Sequence, residues 1–154
     1  MLMNMKDLLA VANEHKFAVP AFNISDYSMM NGIFEASEEK QAPVIIAIHP
    51  VKAIIEKAHK ATVPVCIHLD HGATFEQVML AIQSGFTSVM IDGSSLSFED
   101  NIAVCKKVAE AAHAVNVSVE GELGTIGSTD AQAEAGANTI IYTDPDAAVK
   151  FVEA

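Results

Sequence analysis

The feature that most constrains the fold is a regular alternation of short apolar runs with longer amphipathic segments. Continuous apolar runs are typical of parallel strands covered on both faces, and they predict strands over 17–22, 43–48, 63–72, 86–91 and 117–123. Helical periodicity predicts helices over 3–14, 25–41, 51–62, 74–85 and 98–115, and a last one from Asp144-Pro145 onward. This alternation indicates an α/β protein with a parallel sheet. The sheet is either doubly wound or a (βα)8 barrel, and the pattern alone does not choose.

Polar residues mark where several of these helices begin. Ser25 or Asp26, then Thr74 and Ser97, are N-cap candidates, because their side-chain oxygens can accept hydrogen bonds from the free amides of a first helical turn. We expect the second helix to turn one face inward, carrying Tyr27, Met30, Ile33, Phe34 and Ser37.

Ionisable side chains gather at the end of the third predicted strand. His68, Asp70 and His71 fall within four residues, and a glycine then closes the run. Active sites of α/β folds lie at the carboxyl ends of parallel strands, so we expect a functional site here. Because alternate residues share a face, His68 and Asp70 should point one way, and His71 the other unless the strand has ended. The alternative is a set of strand-end groups that bond only to loops.

Three other predicted strands also end in polar side chains. Asn23 follows the first strand, Asp92 follows the fourth, and Glu122 ends the fifth. Glu120 lies two residues before Glu122 on the same face, so one of the two can be structural. Helix caps and loop hydrogen bonds are the alternative role for the acids, and an Asx-turn is the alternative for Asn23.

Composition excludes some classes of partner. The formal charge of −11 argues against general binding to nucleic acid or an anionic membrane, since both need a basic face. The two cysteines, Cys66 and Cys105, lie in apolar segments, which favours reduced thiols over a disulfide framework. No apolar run approaches the roughly 18 residues of a membrane span, and the start lacks a signal-peptide pattern. We therefore expect a cytoplasmic protein.

Segments along the whole chain point to one family. Asp70-His71-Gly72 after an apolar strand is similar to the HxDHG signature of class II, metal-dependent ketose-bisphosphate aldolases, the fructose- and tagatose-bisphosphate enzymes. The resemblance continues, in the family's order, through 18–23 (AVPAFN), 42–45 (APVI), 88–94 (SVMIDGS), 119–124 (VEGELG) and 142–145 (YTDP). It implies a (βα)8 TIM barrel, of which residues 1–154 form a single partial domain covering about the first five βα units.

The resemblance also implies roles for individual residues. It makes Asp70 the catalytic proton donor and His71 a zinc ligand, and it places Asp92 and Glu122 at a second metal position or as partners of the ligands. Asn23 matches a position facing the substrate. The implied cofactor is Zn²⁺, with a monovalent cation as a further candidate. His68 is expected to pack or hydrogen-bond near the site rather than bind metal.

The implied reaction is reversible aldol cleavage of fructose 1,6-bisphosphate to dihydroxyacetone phosphate and glyceraldehyde 3-phosphate. Tagatose 1,6-bisphosphate is the alternative substrate. The implied partners are a phosphorylated ketose and further copies of the chain, as a dimer or tetramer, with no nucleic acid and no membrane. An unrelated doubly wound binding domain is disfavoured, because the sequence lacks a Gly-x-Gly-x-x-Gly loop.

The sequence also departs from the family. Two further zinc-binding histidines of the family lie in later GT-x-HG and LHG-x-SG segments, which this sequence does not contain. Since a (βα)8 barrel takes roughly 250 residues, we expect a fragment or part of a longer chain. An inactive half-barrel or assembly module therefore stays an alternative function.

Two further expectations concern loops and surface histidines. The Gly- and Ala-rich loop over 124–138 is a candidate lid, with a plain surface loop as the alternative. The remaining histidines are expected to face solvent: His15, His49, His59 and His113.

Overall fold

The computed structural model describes residues 1–47, 52–124 and 142–154. Most of the candidate lid over 124–138 and the expected exposure of His49 lie outside this part of the chain. The helices are α1 (Met5–His15), α2 (Tyr27–Lys40), α3 (Lys52–Lys60), α4 (Phe75–Gln83), α5 (Phe98–His113) and α6 (Pro145–Glu153). The strands are β1 (Ala21–Asn23), β2 (Val44–Ala47), β3 (Val65–Gly72), β4 (Ser88–Ile91) and β5 (Ser118–Gly121).

The strand order decides between the two predicted architectures. All five strands are parallel and lie in the order β1-β2-β3-β4-β5, so each strand pairs with the next one in the chain. A doubly wound sheet reverses its strand order at a switch point, whereas a (βα)8 barrel adds strands in one direction only. The described sheet is therefore a sector of a barrel, which confirms the predicted fold.

The main core lies between the sheet and the helices that connect its strands. Val65, Ile67 and Leu69 of β3 are fully buried and point to this layer. They pack in one cluster with buried residues of α2 to α5, among them Phe34, Ile54, Val78, Ala81, Val108 and Ala112. Burying a side chain of this size contributes about 1.5–3 kcal/mol, so this layer fixes the outer face of the sheet. The alternate residues of β3, Cys66, His68 and Asp70, consequently face the inside of the barrel.

Helix α1 covers the amino-terminal end of the sheet. Leu8 packs in a second buried cluster with Ile45 and Cys66 on the inner face. The backbone amide of Met3 donates to the carbonyl of Val65 at 2.9 Å, and that of Lys6 donates to Ser118 Oγ at 2.9 Å. These contacts hold β3 and β5 from below, so the opposite, carboxyl end of the sheet is left for the candidate site.

The predicted helix starts are largely right. Asp26, Thr74 and Ser97 are N-caps, and each side chain accepts a hydrogen bond from a first-turn amide. The inward placement of Tyr27 is wrong, since it is 58% exposed. Tyr27 is the first residue of α2 and precedes Met30, where the buried face of the helix begins.

Strand β1 is shorter than predicted, starting at 21 instead of 17. Pro20 has no N–H to donate, so the paired ladder begins after it. Its carbonyl still accepts from Ile45 N at 3.0 Å. Within the described ranges, no helix combines the length and apolar character that crossing a membrane requires.

Candidate metal centre

Strand parity brings two carboxylates to the inner face at the carboxyl edge. Ser88 of β4 pairs with Ser118 of β5, and the ladder runs on to the pair Ile91 and Gly121. Every second side chain of a strand points to the same face, so Asp92 shares the face of Ser88, and Glu122 shares the face of Ser118. Both residues follow the last ladder pair directly, so their side chains lie next to each other at the mouth of the barrel sector.

A bulge in β3 brings His71 to the same face. The pairing of β3 with β4 shifts between Leu69 and Gly72, where β3 contains one residue more than its partner. His71 has a φ of 50°, in the left-handed region that non-glycine residues seldom adopt. Strict alternation would turn His71 toward the helices, but the bulge redirects it inward, as bulges beside active sites often do. The alternation rule applied to the sequence therefore fails from His71 onward.

His71, Asp92 and Glu122 form a compact group of possible metal ligands. One ligand atom from each lies within 4.8 Å of the others. His71 Nδ1 is 3.1 Å from Asp92 Oδ2 and 3.6 Å from Glu122 Oε2. The other Asp92 oxygen accepts from Ser94 N at 3.0 Å and Ser94 Oγ at 2.7 Å, which fixes the orientation of the carboxylate.

Within the described part of the chain, one atom of this group lacks a hydrogen-bond partner. Glu122 Oε2 is buried and, among the described residues, has no hydrogen-bond donor. A buried carboxylate oxygen without a donor is unfavourable by about 1–3 kcal/mol unless a cation satisfies it. One imidazole nitrogen and two carboxylate oxygens are donors that suit Zn²⁺ and other divalent first-row ions. The residues present therefore fit a divalent metal.

The electrostatics of the group also favour a cation. The hydrogen bond to Asp92 raises the pKa of His71, with the charges of Asp70 and Glu122 adding to the effect against partial burial. Burial, and next the charge of Asp92, raise the pKa of Glu122. Burial alone would raise the pKa of Asp92, but hydrogen bonds from Ser94 and His71 hold it below its usual value. The group thus concentrates negative charge that a cation would neutralise.

Asp70 lies beside this group without belonging to it. Its Oδ1 is 3.8 Å from His71 Nε2, on the side of the ring away from Asp92. The described part of the chain offers the Asp70 carboxylate no hydrogen bond, and its side chain is 37% exposed. A carboxylate of this kind can exchange a proton with a bound molecule. That Asp70 is the proton donor stays a prediction.

His68 lies on the inner face of β3, two residues before Asp70. It is 5% exposed, its Nδ1 is 2.8 Å from Ser88 Oγ, and its Nε2 is 3.4 Å from Glu120 Oε2. Burial lowers the pKa of His68 and raises that of Glu120, so both groups are shifted toward their neutral forms. His68 therefore hydrogen-bonds near the site, as expected from the sequence, and Glu120 contacts His68 while Glu122 joins the ligand group.

Asn23 is not brought into contact with the group. It ends β1, and its register runs through Ala47 of β2 to His68 of β3, which places it on the inner face at the level of His68. A role for Asn23 in binding substrate stays a prediction. His15, His59 and His113 are exposed, as expected.

Sequence reasoning missed Ser94 and Ser88 as partners of the site. Ser94 follows Asp92 by two residues, and this spacing is the sequence signal of an Asx-type turn. Ser88 gave no such signal, because its contact with His68 depends on the register between β3 and β4.

The sequential parallel strands define a class of protein, the (βα)8 barrels, of which this chain forms part, with a group of possible metal ligands at the carboxyl edge. Comparison with known proteins identifies the family. A family model for class II fructose-bisphosphate aldolase matches residues 3–154, and the chain belongs to that family. This confirms the resemblance seen in the sequence motifs.

Individual relatives agree with this assignment. The chain is 43% identical over 166 residues to a fructose-bisphosphate aldolase of Staphylococcus aureus, covering 99% of this chain and 57% of the relative. It is 41% identical over 167 residues to a probable fructose-bisphosphate aldolase of Bacillus subtilis, covering 99% and 58%. The chain thus spans somewhat more than half the length of these curated relatives.

Solved structures show the same architecture. The YdjI aldolase of Escherichia coli K12 superposes with a TM-score of 0.84 at 34% identity, over 99% of this chain and 61% of that one. A putative fructose-1,6-bisphosphate aldolase of Coccidioides immitis superposes with a TM-score of 0.85 at 26% identity, over 97% and 57%. The described sheet is therefore a partial TIM barrel.

Proposed function

We propose that this chain forms the first five βα units of a class II aldolase that cleaves fructose 1,6-bisphosphate reversibly to dihydroxyacetone phosphate and glyceraldehyde 3-phosphate. The observation that carries the proposal is the convergence of His71, Asp92 and Glu122 at the carboxyl edge, with Asp70 beside them. The names of the relatives support the substrate class, since those at 41–43% identity are named fructose-bisphosphate aldolases.

The proposed cofactor is a divalent metal, with Zn²⁺ as the first candidate. When bound, the metal would act as a Lewis acid that polarises the ketose carbonyl and stabilises the charge that develops there. His71, Asp92 and Glu122 would hold it. Ser94 would keep Asp92 oriented, because its amide and hydroxyl both donate to the outer oxygen of that carboxylate.

Asp70 is the proposed proton carrier. Aldol cleavage requires that a proton leave the hydroxyl beside the breaking bond and return in the condensation direction. A carboxylate within hydrogen-bond reach can do both. Asp70 suits this role because it lies next to His71 and its oxygens are not engaged by other described side chains.

A second candidate function is a metal-binding barrel sector without cleavage activity. The observation favouring it is that all three proposed ligands lie at the ends of β3, β4 and β5, so the described sector brings the donor group together by itself. Tagatose 1,6-bisphosphate is the alternative substrate within the enzyme proposal. Assays with both ketose bisphosphates separate these three possibilities.

The test compares two neighbouring variants at the full encoded length. Asp70→Ala should lower the cleavage rate by about 10²–10⁴-fold, the usual contribution of a general acid–base, while leaving metal content intact. His71→Ala should lose metal as well as activity. Full activity in either variant would refute the assigned roles, and a wild-type chain that holds metal without cleaving either ketose would support the binding sector instead.

We further propose a cytoplasmic location and a place in sugar catabolism of the glycolytic type. Both cysteines are free thiols, and burial raises the pKa of Cys66 to about 11, which disfavours the reactive thiolate and suits a reducing compartment. A monovalent cation and a homo-oligomeric state stay parts of the proposal carried by the family resemblance alone.

A further inference from the structure

Asn101 is a buried polar residue that the proposed chemistry does not use. It lies in the first turn of α5 and is 2% exposed. Asparagine is a poor helix former and is seldom fully buried, so both of its polar atoms need partners. Its surroundings show where those partners are.

The amide nitrogen of Asn101 reaches the end of β5. Its Nδ2 donates to the main-chain carbonyl of Glu122 at 2.7 Å. The ladder between β4 and β5 ends one residue earlier, at the pair Ile91 and Gly121. Glu122 therefore begins the segment beyond the described sheet pairing, and the Asn101 side chain holds its backbone there.

The carbonyl oxygen of Asn101 reaches the end of β4. A Cβ atom added at Gly93 would overlap Oδ1 and lie 2.8 Å from Cγ of Asn101. Gly93 directly follows Asp92, so the Asn101 amide group fills the space above the strand end that carries the other carboxylate. The same Oδ1 accepts from Cys105 Sγ at 3.5 Å, one helical turn further on.

Helix α5 supplies a fixed base for this side chain. Ser97 caps the helix by accepting from Asp100 N at 3.1 Å, and the Ser97 carbonyl accepts from Asn101 N at 2.8 Å. These hydrogen bonds hold the backbone of Asn101 in place, and its side chain extends from there to both strand ends.

We propose that Asn101 is a positioning residue that sets the separation of the Asp92 and Glu122 carboxylates and so tunes the affinity of the metal centre. The inference rests on the metal centre of the proposed function. Asn101 would touch neither metal nor substrate. It acts through the Glu122 backbone on one side and through contact with Gly93 on the other. Outer partners of metal ligands commonly change metal affinity by 10–100-fold when they are removed.

The experiment measures zinc affinity by calorimetric titration of the metal-free, purified chain. Asn101→Ala should weaken zinc binding by about 10–100-fold. The matched control is Val108→Ala, which truncates a fully buried apolar residue of the same helix, about two turns beyond Asn101. Val108→Ala should lower thermal stability yet bind zinc within about twofold of wild type, because loss of packing alone does not move the ligands. Equal affinities in Asn101→Ala and Val108→Ala would overturn the proposal.

A second variant keeps the test decisive if Asn101→Ala folds poorly. Gly93→Ala should also weaken zinc binding, because the new methyl group displaces the Asn101 amide. In an Asn101→Ala background the same change should add little, since Oδ1 and Cγ, the two nearest atoms, are gone. Losses that add in full would show that the two residues act independently, contrary to the proposal.

A metal-free readout separates failure of this inference from failure of the proposed function. The readout is the NMR resonance of the Glu122 carbonyl in ¹³C-labelled protein without metal. In Asn101→Ala this resonance should move from its wild-type position, and in Val108→Ala it should stay there. If wild type binds no zinc, the metal centre itself is refuted together with the tuning role. If zinc binds and the carbonyl resonance does not move, Asn101 does not hold Glu122, and only the present inference falls.

Discussion

Replacing Glu122 by glutamine should stabilise the metal-free chain while impairing its metal site. Glu122 Oε2 is buried without a donor among the described residues and lies 3.6 Å from the nearest nitrogen of His71. The change Glu122→Gln keeps the shape of the side chain and removes its charge. It also supplies an N–H group that can donate to the neighbouring Asp92.

The expected magnitude follows from the environment of that oxygen. Leaving a buried polar group unsatisfied is unfavourable by about 1–3 kcal/mol, and more for a charged group in a dry interior. The Glu122 side chain is 25% exposed, so water screens part of this penalty. We therefore expect Glu122→Gln to raise the free energy of unfolding by about 1 kcal/mol near pH 7.5.

The directions of the pKa shifts predict how the effect of Glu122→Gln on stability changes with pH. The pKa of Glu122 is raised from 4.5 in the folded chain, so its contribution to stability is fully present below that ordinary value and is lost as the pH rises through the folded value. The pKa of His71 is raised from 6.5, so its contribution to stability is fully present below 6.5 and is lost as the pH rises through the folded value. Asp92 has a lowered pKa and acts oppositely, losing its contribution as the pH falls through the folded value. Glu122→Gln should therefore raise the free energy of unfolding most at neutral pH and least below pH 4.5.

The assay is urea unfolding followed by circular dichroism in chelator-treated buffer, at several pH values between 4 and 8. The control variant is Glu110→Gln, an exposed carboxylate on α5, which should change stability by less than about 0.5 kcal/mol. Zinc titration of the same samples should show a large loss of affinity in Glu122→Gln only. A destabilised Glu122→Gln chain, or one that binds zinc like wild type, would refute the reasoning.

Other predictions concern the scaffold that holds the site. Gly72→Ala should destabilise the chain by about 3 kcal/mol, because the new Cβ would overlap the Met90 carbonyl oxygen and lie 3.1 Å from a methyl carbon of Val78. Gly32→Ala in α2, where a Cβ has no atom within 4 Å, should instead stabilise by about 0.5–1 kcal/mol, and urea unfolding of the pair checks both signs. Removing the α2 cap with Asp26→Ala should lower stability by about 1 kcal/mol in the same assay, and an unchanged midpoint would contradict the cap assignment.

The fold was largely predictable because its signals are local. Apolar runs and caps indicated the alternation of strands and helices, and caps such as Thr74 and Ser97 placed helix starts to within a residue. The choice between barrel and doubly wound sheet was not local. It depends on which strands pair, and no short-range pattern in the residues encodes that order.

The sequence predicted which residues form the candidate site better than it predicted how their side chains are arranged. Polar residues at the predicted strand ends singled out Asp70, Asp92 and Glu122, but their common face depends on the register between β3, β4 and β5. The face of His71 could not be predicted, because a one-residue bulge and a left-handed φ override the alternation at that position. Asn101 gave no signal at all, since its role depends on a helix packing over two strand ends that are distant in sequence.

The most direct test of the metal centre is the zinc stoichiometry of the purified, full-length polypeptide after dialysis, measured beside His71→Ala and His113→Ala. We predict one zinc ion per chain in wild type and in His113→Ala, whose exposed histidine lies at the end of α5 away from the ligand group. His71→Ala should retain none. A wild-type chain without zinc, or a His71→Ala chain that keeps it, would contradict the assignment of His71, Asp92 and Glu122 as the metal centre.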